Sequence, residues 1–436
     1  MSHSPARPDR TGNADSGVRR VLLSGVFDMK NFGDLLFPLL AAERLGALGV
    51  EVIPVAPTGA GGGLPDALVS ISMAEMLGGE TPADGVVIGG GYLIHTHRMA
   101  FLEDYKEDDV LDWAGPSLWL GTTLAAAVHD IPIAWNAPGA PHPLASSQVP
   151  MAQAAMRAAD YLSVRDEAAV AFLQPPADVE VAVVPDPVAE LARLWPRRGL
   201  DAPFKTLLAR KQCGTERPFV AIHLRNRSLA GVPHETAAAW IDAFTRAENL
   251  TAILVAVGRS HEDDVLARSV SGSMRAPHLL LDDPVSLLEV AAAIGCSRLY
   301  LGASLHGYIA AAAYDVPGVL VARPNYGKFA GFLEHTGRLQ DLAGTWPEAF
   351  ERGSQWLEQR PTGLVPDHVL ASLDRHWERI AAALDQPARR RAQRQAFLGA
   401  WLRAGVELGG VAWTQRPFLR RPQRPAAAGA PRRTCD

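Results

Sequence analysis

The chain has 436 residues, of which 48% are hydrophobic and 20% charged, with a net charge of −5. This length is more than one hydrophobic core usually organises, so we expect two domains and a tail. Because the first 21 residues contain no apolar run and no later stretch could span a bilayer, we expect a cytosolic protein without a secretory leader. The scattered Cys213, Cys296 and Cys435 argue against a disulfide framework and a zinc site.

The charge is unevenly distributed along the chain. From Gln386 onward the chain has eleven arginines and two acids, Glu407 and Asp436, so this segment has a net charge of +9. Because the whole chain has a net charge of −5, the residues before Gln386 have a net charge of −14. Within this segment one predicted helical face carries Phe397, Leu398, Trp401 and Leu402. The segment either contacts anionic lipid or a lipid-linked acceptor, or packs on the body of the protein with disordered residues after it. The acidic body argues against nucleic-acid binding.

Strands and helices alternate through the first half of the chain. Apolar runs predict strands at 21–27, 50–56, 84–91, 131–136, 161–164 and 181–184. The patterns between them predict helices at 34–48, 122–129, 152–159 and 166–173. This alternation is typical of a parallel sheet covered by helices.

A second series of the same kind follows a segment rich in proline and charge. Strands are predicted at 219–224, 252–257, 278–281 and 318–322, and helices at 234–246, 261–269 and 285–294. Residues 299–321 read as strand, turn, helix and strand. We therefore predict an α/β fold in which two Rossmann-like domains face each other across a cleft.

The predicted domain organisation has six parts. They are a disordered N-terminus (1–20), an N-terminal Rossmann-like domain (21–190), an interdomain crossover (191–217), a C-terminal Rossmann-like domain (218–345), bridging helices (346–385) and a basic tail (386–436).

Candidate functional residues of the second half lie where parallel strands end, the edge at which this architecture binds ligands. Ser304 is placed to cap a helix whose first turn holds His306 and Gly307, so free N–H groups and the helix dipole favour an anion there. Arg225 follows a strand directly, and Lys328 lies in a polar loop. Three cationic groups at one cleft favour a small substrate with two or three negative charges.

The first half contributes further loops to the same cleft. Asp34, which follows Asn31, is either a reactive carboxylate or an acid that simply favours a first helical turn. Three consecutive glycines end another strand: Gly89, Gly90 and Gly91. They do not form a dinucleotide fingerprint, because Ile94 stands where its last glycine is needed, so they make either a tight turn or a ligand contact.

Two histidines, His95 and His97, are spaced like a pair of metal ligands. They have no carboxylate partner nearby in the sequence, which favours an incidental pair over a metal site. Taken singly, Arg225 also fits a structural ion pair and Lys328 a solvated loop lysine.

Seven short motifs, taken in order, resemble the polysaccharide pyruvyl transferase family. They are Asn31-Phe-Gly-Asp34, Val87-Ile-Gly-Gly-Gly91, Ser163-Val-Arg-Asp-Glu167, Val184-Pro-Asp-Pro187, Ile222-His-Leu-Arg225, Ser304-Leu-His-Gly307 with Asp315-Val-Pro317, and Lys328 before Gly331-Phe332. The resemblance spans residues 21–337. It implies a fold similar to the GT-B glycosyltransferases, with phosphoenolpyruvate as the donor. It also implies transfer of pyruvate, as a cyclic ketal, to two hydroxyls of a sugar in a cell-surface polysaccharide or its precursor.

The resemblance also assigns roles, with the N-terminal domain as the acceptor side and the C-terminal domain as the donor side. The implied donor-binding residues are Arg225, Ser304, His306, Gly307 and Lys328. The implied acceptor-binding residues are Asn31, Gly89, Gly90 and Gly91. His306 is the candidate acid, because a phosphate favours its protonated form, Lys328 neutralises the phosphate, and Asp34 is the candidate base. We expect no cofactor and no metal, and a cytoplasmic location, either free or at the inner face of the membrane.

The chain departs from the family pattern at one position. Many members carry an arginine two residues before the motif histidine, where this chain has Ser304. Either Arg227 or Arg323 substitutes for it, or the donor differs, or the chain is a divergent or inactive relative. The alternatives are therefore a GT-B glycosyltransferase that uses a nucleotide sugar, and a non-catalytic member of a polysaccharide assembly complex.

Overall fold

The computed structural model describes residues 19–99, 105, 110–258, 262–323 and 327–416. Predictions that concern the residues before Arg19, Cys435 and the end of the basic tail lie outside the described residues. The first strand, Arg19–Ser24, begins two residues before its predicted start at Val21. Arg20 belongs to it because its backbone N–H donates to a carboxylate oxygen of Asp84 at 2.8 Å.

Five parallel strands form the sheet of the N-terminal half. They are β1 (Arg19–Ser24), β2 (Val50–Ala56), β3 (Ile71–Ser72), β4 (Gly85–Ile88) and β5 (Ile133–Trp135). Their order in the sheet is β3-β2-β1-β4-β5. The register pairs Ser24 with Ile88 and Ile88 with Trp135, so the loops after β1, β4 and β5 leave the sheet at one edge.

Four of the helices of this half were predicted, and those at Met73–Gly78 and Val110–Pro116 were not. The helices are α1 (Phe32–Gly46), α2 (Met73–Gly78), α3 (Val110–Pro116), α4 (Thr122–His129), α5 (Val149–Ala158) and α6 (Glu167–Leu173). A π-helical turn, Ser117–Gly121, joins α3 to α4. The runs at 161–164 and 181–184 form short strands, β6 (Ser163–Val164) and β7 (Ala182–Val183), which pair in a separate two-stranded sheet.

Six parallel strands form the sheet of the C-terminal half. They are β8 (Phe219–His223), β9 (Thr251–Val255), β10 (His278–Leu281), β11 (Leu299–Gly302), β12 (Gly318–Val321) and β13 (Leu342–Ala343). Their order is β10-β9-β8-β11-β12-β13. Only β13, at the edge of the sheet, was not predicted, because two residues carry no recognisable period.

Two helices occupy the predicted crossover, α7 (Leu191–Leu194) and α8 (Asp201–Arg210). The helices that cover the second sheet are α9 (Asn226–Leu229), α10 (His234–Ala247), α11 (Asp263–Ser273), α12 (Leu287–Gly295), α13 (Leu305–Ala313) and α14 (Gly327–Thr336).

Hydrogen bonds and a shared core join the two halves. The backbone N–H of Phe32 donates to the carbonyl of Val257 at 2.7 Å. The carboxylate of Asp66 accepts from the first N–H groups of α12, at Leu287 and Leu288, and so caps a helix of the opposite half. One hydrophobic cluster contains buried side chains of both halves. The edges at which the two sets of strands end therefore meet.

Two helices after the second sheet contact different halves of the protein. The first, α15 (Trp346–Gln359), packs Trp346 and Phe350 into the core of the C-terminal sheet. The second, α16 (Asp367–Leu384), buries His376 between Tyr161 and Asn136 of the N-terminal half, at 2.9 Å from each. The chain therefore returns to the first half after completing the second.

The last helix, α17 (Arg391–Gln415), packs its first turns on α4 and α5. Arg394 is fully buried and pairs with Asp160 at 3.0 Å, and Phe397 is fully buried in the N-terminal core. The packing interpretation of the basic tail is thus confirmed for these turns. Among the described residues, no helix combines the length and apolar character needed to cross a bilayer.

Replacing Phe397 by Ala is expected to lower the free energy of unfolding by about 3–5 kcal/mol, because the ring leaves a cavity in the N-terminal core. Leu402→Ala on the same helix is the control, since that side chain is 56% exposed and should change stability by about 0.5 kcal/mol or less. Denaturant unfolding measures both. Equal effects of the two substitutions would show that the start of α17 is not part of the core.

Candidate active site

His306 lies where the sequence predicts it, at the start of α13 and just after β11. The Ser304 side chain accepts a hydrogen bond from the N–H of Gly307 at 3.3 Å, so Ser304 is the N-cap of this helix. The hydroxyl of Tyr300 donates to the carbonyl of Ser304 at 3.2 Å and stabilises the turn between β11 and α13. Ser304 therefore shapes the backbone around His306, and its hydroxyl is engaged in the cap.

The imidazole of His306 packs directly against the N-terminal half. A Cβ at Gly33 would lie 1.8 Å from its Nδ1, so only a glycine allows this approach. The ring of Phe37 meets the imidazole edge to face, with 5.5 Å between centroids. The first turn of α1 and the first turn of α13 thus touch across the cleft.

Two residues that the sequence reasoning did not assign to the site complete the surroundings of His306. Asp186 places a carboxylate oxygen 3.5 Å from the His306 Nε2 and 3.7 Å from a terminal nitrogen of Arg165. The side chains of Asp186 and Arg165 are buried, and the Arg165 guanidinium lies 4.1 Å from the ring centroid of Tyr92. Burial opposes the charged form of Asp186, but the contact and charge of His306, with the charge of Arg165, lower its pKa overall.

A signal for both residues was present in the sequence. Arg165 directly follows β6 and Asp186 comes shortly after β7, and each lies in a quoted family motif. The sequence analysis assigned β6 and β7 to the main sheet. It therefore did not predict that they form a separate sheet whose strands end at the cleft.

Arg225 follows β8 and is held by a buried acid. Its Nε lies 3.7 Å from an oxygen of Asp263, at the start of α11. The other oxygen of Asp263 pairs with the Nε2 of His223 at 3.0 Å, and both of these side chains are fully buried. Asp263, which is itself held by His223, therefore helps to fix the position of the Arg225 guanidinium.

Lys328 lies in the first turn of α14, with its ammonium 5.0 Å from the ring centroid of Tyr92. Burial, together with the positive charges of Arg225 and Arg165, lowers its pKa to about 7. The charges of Asp34 and Asp186 oppose this shift without cancelling it. Lys328 thus belongs to one electrostatic cluster with both arginines.

Asp34 stands opposite this cluster, in the first turn of α1. Asn31 caps that helix, since its side chain accepts from the N–H of Gly33 at 3.2 Å. Burial raises the pKa of Asp34, although His306, Lys328 and the two arginines favour its charged form. A carboxyl with a raised pKa is a stronger proton acceptor than an exposed one.

The three glycines after β4 make close packing possible. A Cβ at Gly89 would lie 2.4 Å from the carbonyl oxygen of Ser24, and one at Gly90 would overlap the ring of Phe37. Gly91 has a φ of +93°, and a Cβ added to it would lie 3.2 Å from an oxygen of the Asp34 carboxylate. Gly89 and Gly90 thus serve packing, whereas Gly91 borders the cleft beside Asp34.

Basic and acidic side chains meet in the cleft. Its basic groups are Arg165, Arg225, His306 and Lys328, and its acids are Asp34, Asp166, Asp186 and Asp263. Within the described part of the chain, the Nε and one terminal nitrogen of Arg165 and the Nε of Arg225 are buried without a hydrogen-bond partner. Buried guanidinium donors of this kind match the oxygens of a carboxylate or phosphate.

The predicted histidine pair does not belong to this cluster. His95 is buried, whereas His97 and His142 are exposed. The ring centroids of His95 and His97 are 6.1 Å apart, and those of His97 and His142 are 5.3 Å apart. Burial and the neighbouring histidines lower the pKa of His95 to about 4. No group of residues within the described ranges has the arrangement needed to hold a metal ion.

The model of the polysaccharide pyruvyl transferase family matches residues 31–325. The chain belongs to this family. The match includes every residue assigned to the site from the sequence except Lys328, which lies just beyond its end. No curated protein sequence matches the chain.

Solved structures with a similar fold are glycosyltransferases and epimerases. UDP-N-acetylglucosamine 2-epimerase from Rickettsia bellii superimposes with a TM-score of 0.52 and 12% identity, covering 86% of this chain and 99% of that one. S. aureus MnaA with UDP gives a TM-score of 0.49 and 12% identity over 78% and 89% of the two chains. The E. coli ADP-heptose LPS heptosyltransferase II gives a TM-score of 0.39 and 10% identity, covering 84% of this chain and 99% of that one. The predicted fold, two Rossmann-like domains similar to GT-B glycosyltransferases, is confirmed.

Lys328 is expected to titrate near pH 7 rather than near its ordinary pKa of 10.5, because burial and two arginines disfavour its charged form. NMR of protein carrying ¹³C-labelled lysine measures this midpoint, and Lys328→Met identifies the signal. Arg225→Gln should raise the midpoint, since it removes a repelling charge, and inorganic phosphate should raise it as well. A midpoint at the ordinary value of lysine would contradict the cluster.

Proposed function

We propose that the protein transfers pyruvate from phosphoenolpyruvate to two hydroxyls of a sugar, forming a cyclic ketal on a polysaccharide or its precursor. Membership of the polysaccharide pyruvyl transferase family supports a transferase. The observation that carries the donor is the cluster of His306, Arg165, Arg225 and Lys328 at one cleft. Phosphoenolpyruvate carries a carboxylate and a phosphate, and these are the groups that guanidinium and ammonium donors bind.

In the proposed reaction, one proton is added to C3 of the donor while one sugar hydroxyl attacks C2. The second hydroxyl then attacks C2 and displaces the phosphate. Two hydroxyl protons leave the sugar, of which one balances the proton gained by C3 and the other departs with the phosphate. The chemistry needs an acid, a base and neutralised anions, and it calls for no cofactor or metal.

His306 is the proposed acid because it lies at the start of α13, on the wall of the cleft that carries Arg225 and Lys328. Its Nε2 lies 3.5 Å from the Asp186 carboxylate, which orients the ring. Asp34 is the proposed base, since it approaches from the opposite half with a raised pKa. Acid and base on opposite walls suit a donor and an acceptor held between the domains.

The serine at position 304 is compatible with this function. Arg227 and Arg323 are both exposed, whereas Arg165 is buried between Tyr92 and Asp186. We propose that Arg165 and Arg225 are the two guanidinium groups of the donor site. Ser304 then serves that site indirectly, through the N-cap that places His306.

Arg225→Ala is expected to weaken phosphoenolpyruvate binding by about 100-fold, because a charged hydrogen-bond donor to the anion is lost. His306→Ala is expected to lower kcat by about 10²- to 10⁴-fold, as for loss of a general acid, with a smaller effect on binding. Calorimetric titration with phosphoenolpyruvate and assays of ketal formation measure the two effects.

The same calorimetry, run with UDP and GDP, separates the donor classes. Saturable binding of phosphoenolpyruvate that disappears in Arg225→Ala supports the proposal. Binding of a nucleotide alone would instead identify a glycosyltransferase, and binding of neither would point to a non-catalytic protein. Arg246→Ala is the control for the loss of an arginine, since that side chain is exposed on α10.

Asp263 is expected to act as a positioning residue, because it contacts Arg225 and His223. Asp263→Asn should raise the KM for phosphoenolpyruvate about tenfold with a much smaller change in kcat, since the guanidinium loses its charged support. Asp263→Glu keeps the charge and should recover part of the affinity. An unchanged KM in a folded Asp263→Asn enzyme would refute this role.

A further inference from the structure

The second half of α17 presents apolar side chains to solvent. Leu402, Val406, Leu408 and Val411 are 56%, 44%, 91% and 75% exposed. We call these four residues the apolar tail surface. They contrast with Phe397, about one to four turns earlier on the same helix, which is fully buried. The helix therefore starts in the core and ends as an unpartnered apolar surface within the described part of the chain.

The four residues are spread around the end of α17. Leu402 and Val406 lie one turn apart on one side of the helix, Leu408 lies on another side, and Val411 follows a break in the helix. Gly410 breaks α17 with a φ of 59° and a ψ of −161°, values outside the helical region. After the break the indole of Trp413 packs back on Gly405, where an added Cβ would lie 2.5 Å from the ring. The chain thus folds back on itself, and Trp413 is partly buried within the turn while the four apolar residues stay outside.

The charge around this surface indicates its partner. Arg403, Glu407 and Arg416 are exposed beside it, and the sequence beyond Arg416 adds five more arginines against one acid, Asp436. The chain before Gln386 carries a formal charge of −14, so an anionic surface would repel most of the protein and attract this end. A second copy of the chain would bring like charges together, which disfavours a dimer through this surface.

We infer that the apolar tail surface docks on a lipid bilayer with anionic head groups. The apolar side chains enter the boundary between head groups and acyl chains, and Arg403 and Arg416 contact lipid phosphates. Basic residues near such a surface strengthen binding through their attraction to the anionic head groups. A nucleic acid would satisfy the arginines but offers no apolar layer to the four side chains.

The position of α17 connects docking with the proposed function. Its first turns pack on α4 and α5, in the half that carries Asp34 and Gly91. On the basis of the proposed function, we propose a lipid-linked sugar as the acceptor, and docking would bring the half that carries Asp34 to the membrane that holds it. The docking itself is independent of the reaction and is tested without donor or acceptor.

Flotation of the full chain with vesicles tests the inference. The protein should float with vesicles of phosphatidylcholine and phosphatidylglycerol, and remain unbound with phosphatidylcholine alone. A variant with Leu402→Ser, Val406→Ser, Leu408→Ser and Val411→Ser should lose at least about tenfold in affinity for the anionic vesicles. Salt at about 0.5 M should also reduce binding, because it screens the arginines.

The control carries serine at exposed apolar positions elsewhere: Val69, Val265 and Val285. It should float like the unaltered protein. Equal flotation of the tail variant and the control, or absence of binding to anionic vesicles, would overturn the inference. So would sedimentation showing that the tail substitutions dissociate a dimer, or a nucleic acid that competes for the same four residues. Calorimetry with phosphoenolpyruvate on the tail variant keeps this outcome separate from a failure of the proposed function.

Discussion

The contact between the backbone of Gly33 and the imidazole of His306 is the constraint on which the cleft depends. Each residue lies in the first turn of a helix that follows a parallel strand, and the two helices belong to opposite halves. Their positive ends therefore converge, which favours an anion between them. The hydrogen bond from Phe32 to Val257 and the cap that Asp66 gives to α12 hold the halves at this distance.

The electrostatics of the cleft follow from that closure. Two arginines, a lysine and a histidine are brought together by loops from both halves, beside the carboxylates of four acids: Asp34, Asp166, Asp186 and Asp263. The lowered pKa of Lys328 and the raised pKa of Asp34 are consequences of burying these groups beside one another. Because Arg165 and Arg225 lower the pKa of Lys328, an anion bound beside these three groups would reduce the repulsion among them, in keeping with the donor that we propose.

The last helix shows how one element serves two purposes along its length. Its first turns are fixed by the buried pair of Arg394 and Asp160, which combines a charge-assisted contact with the packing of Phe397. Beyond Leu402 the same helix has no partner in the described structure and becomes apolar surface. The rigid start holds the exposed end at a defined place on the N-terminal half.

The sequence by itself determined the alternation of strands and helices, the two parallel sheets, and the cap at Ser304, because apolar periodicity and capping are local properties. Only the tertiary structure decided that β6 and β7 form their own sheet and that Arg165 and Asp186 join His306 at the cleft. These depend on contacts between segments far apart in the chain. Short strands and isolated charged residues carry no local pattern that specifies such partners.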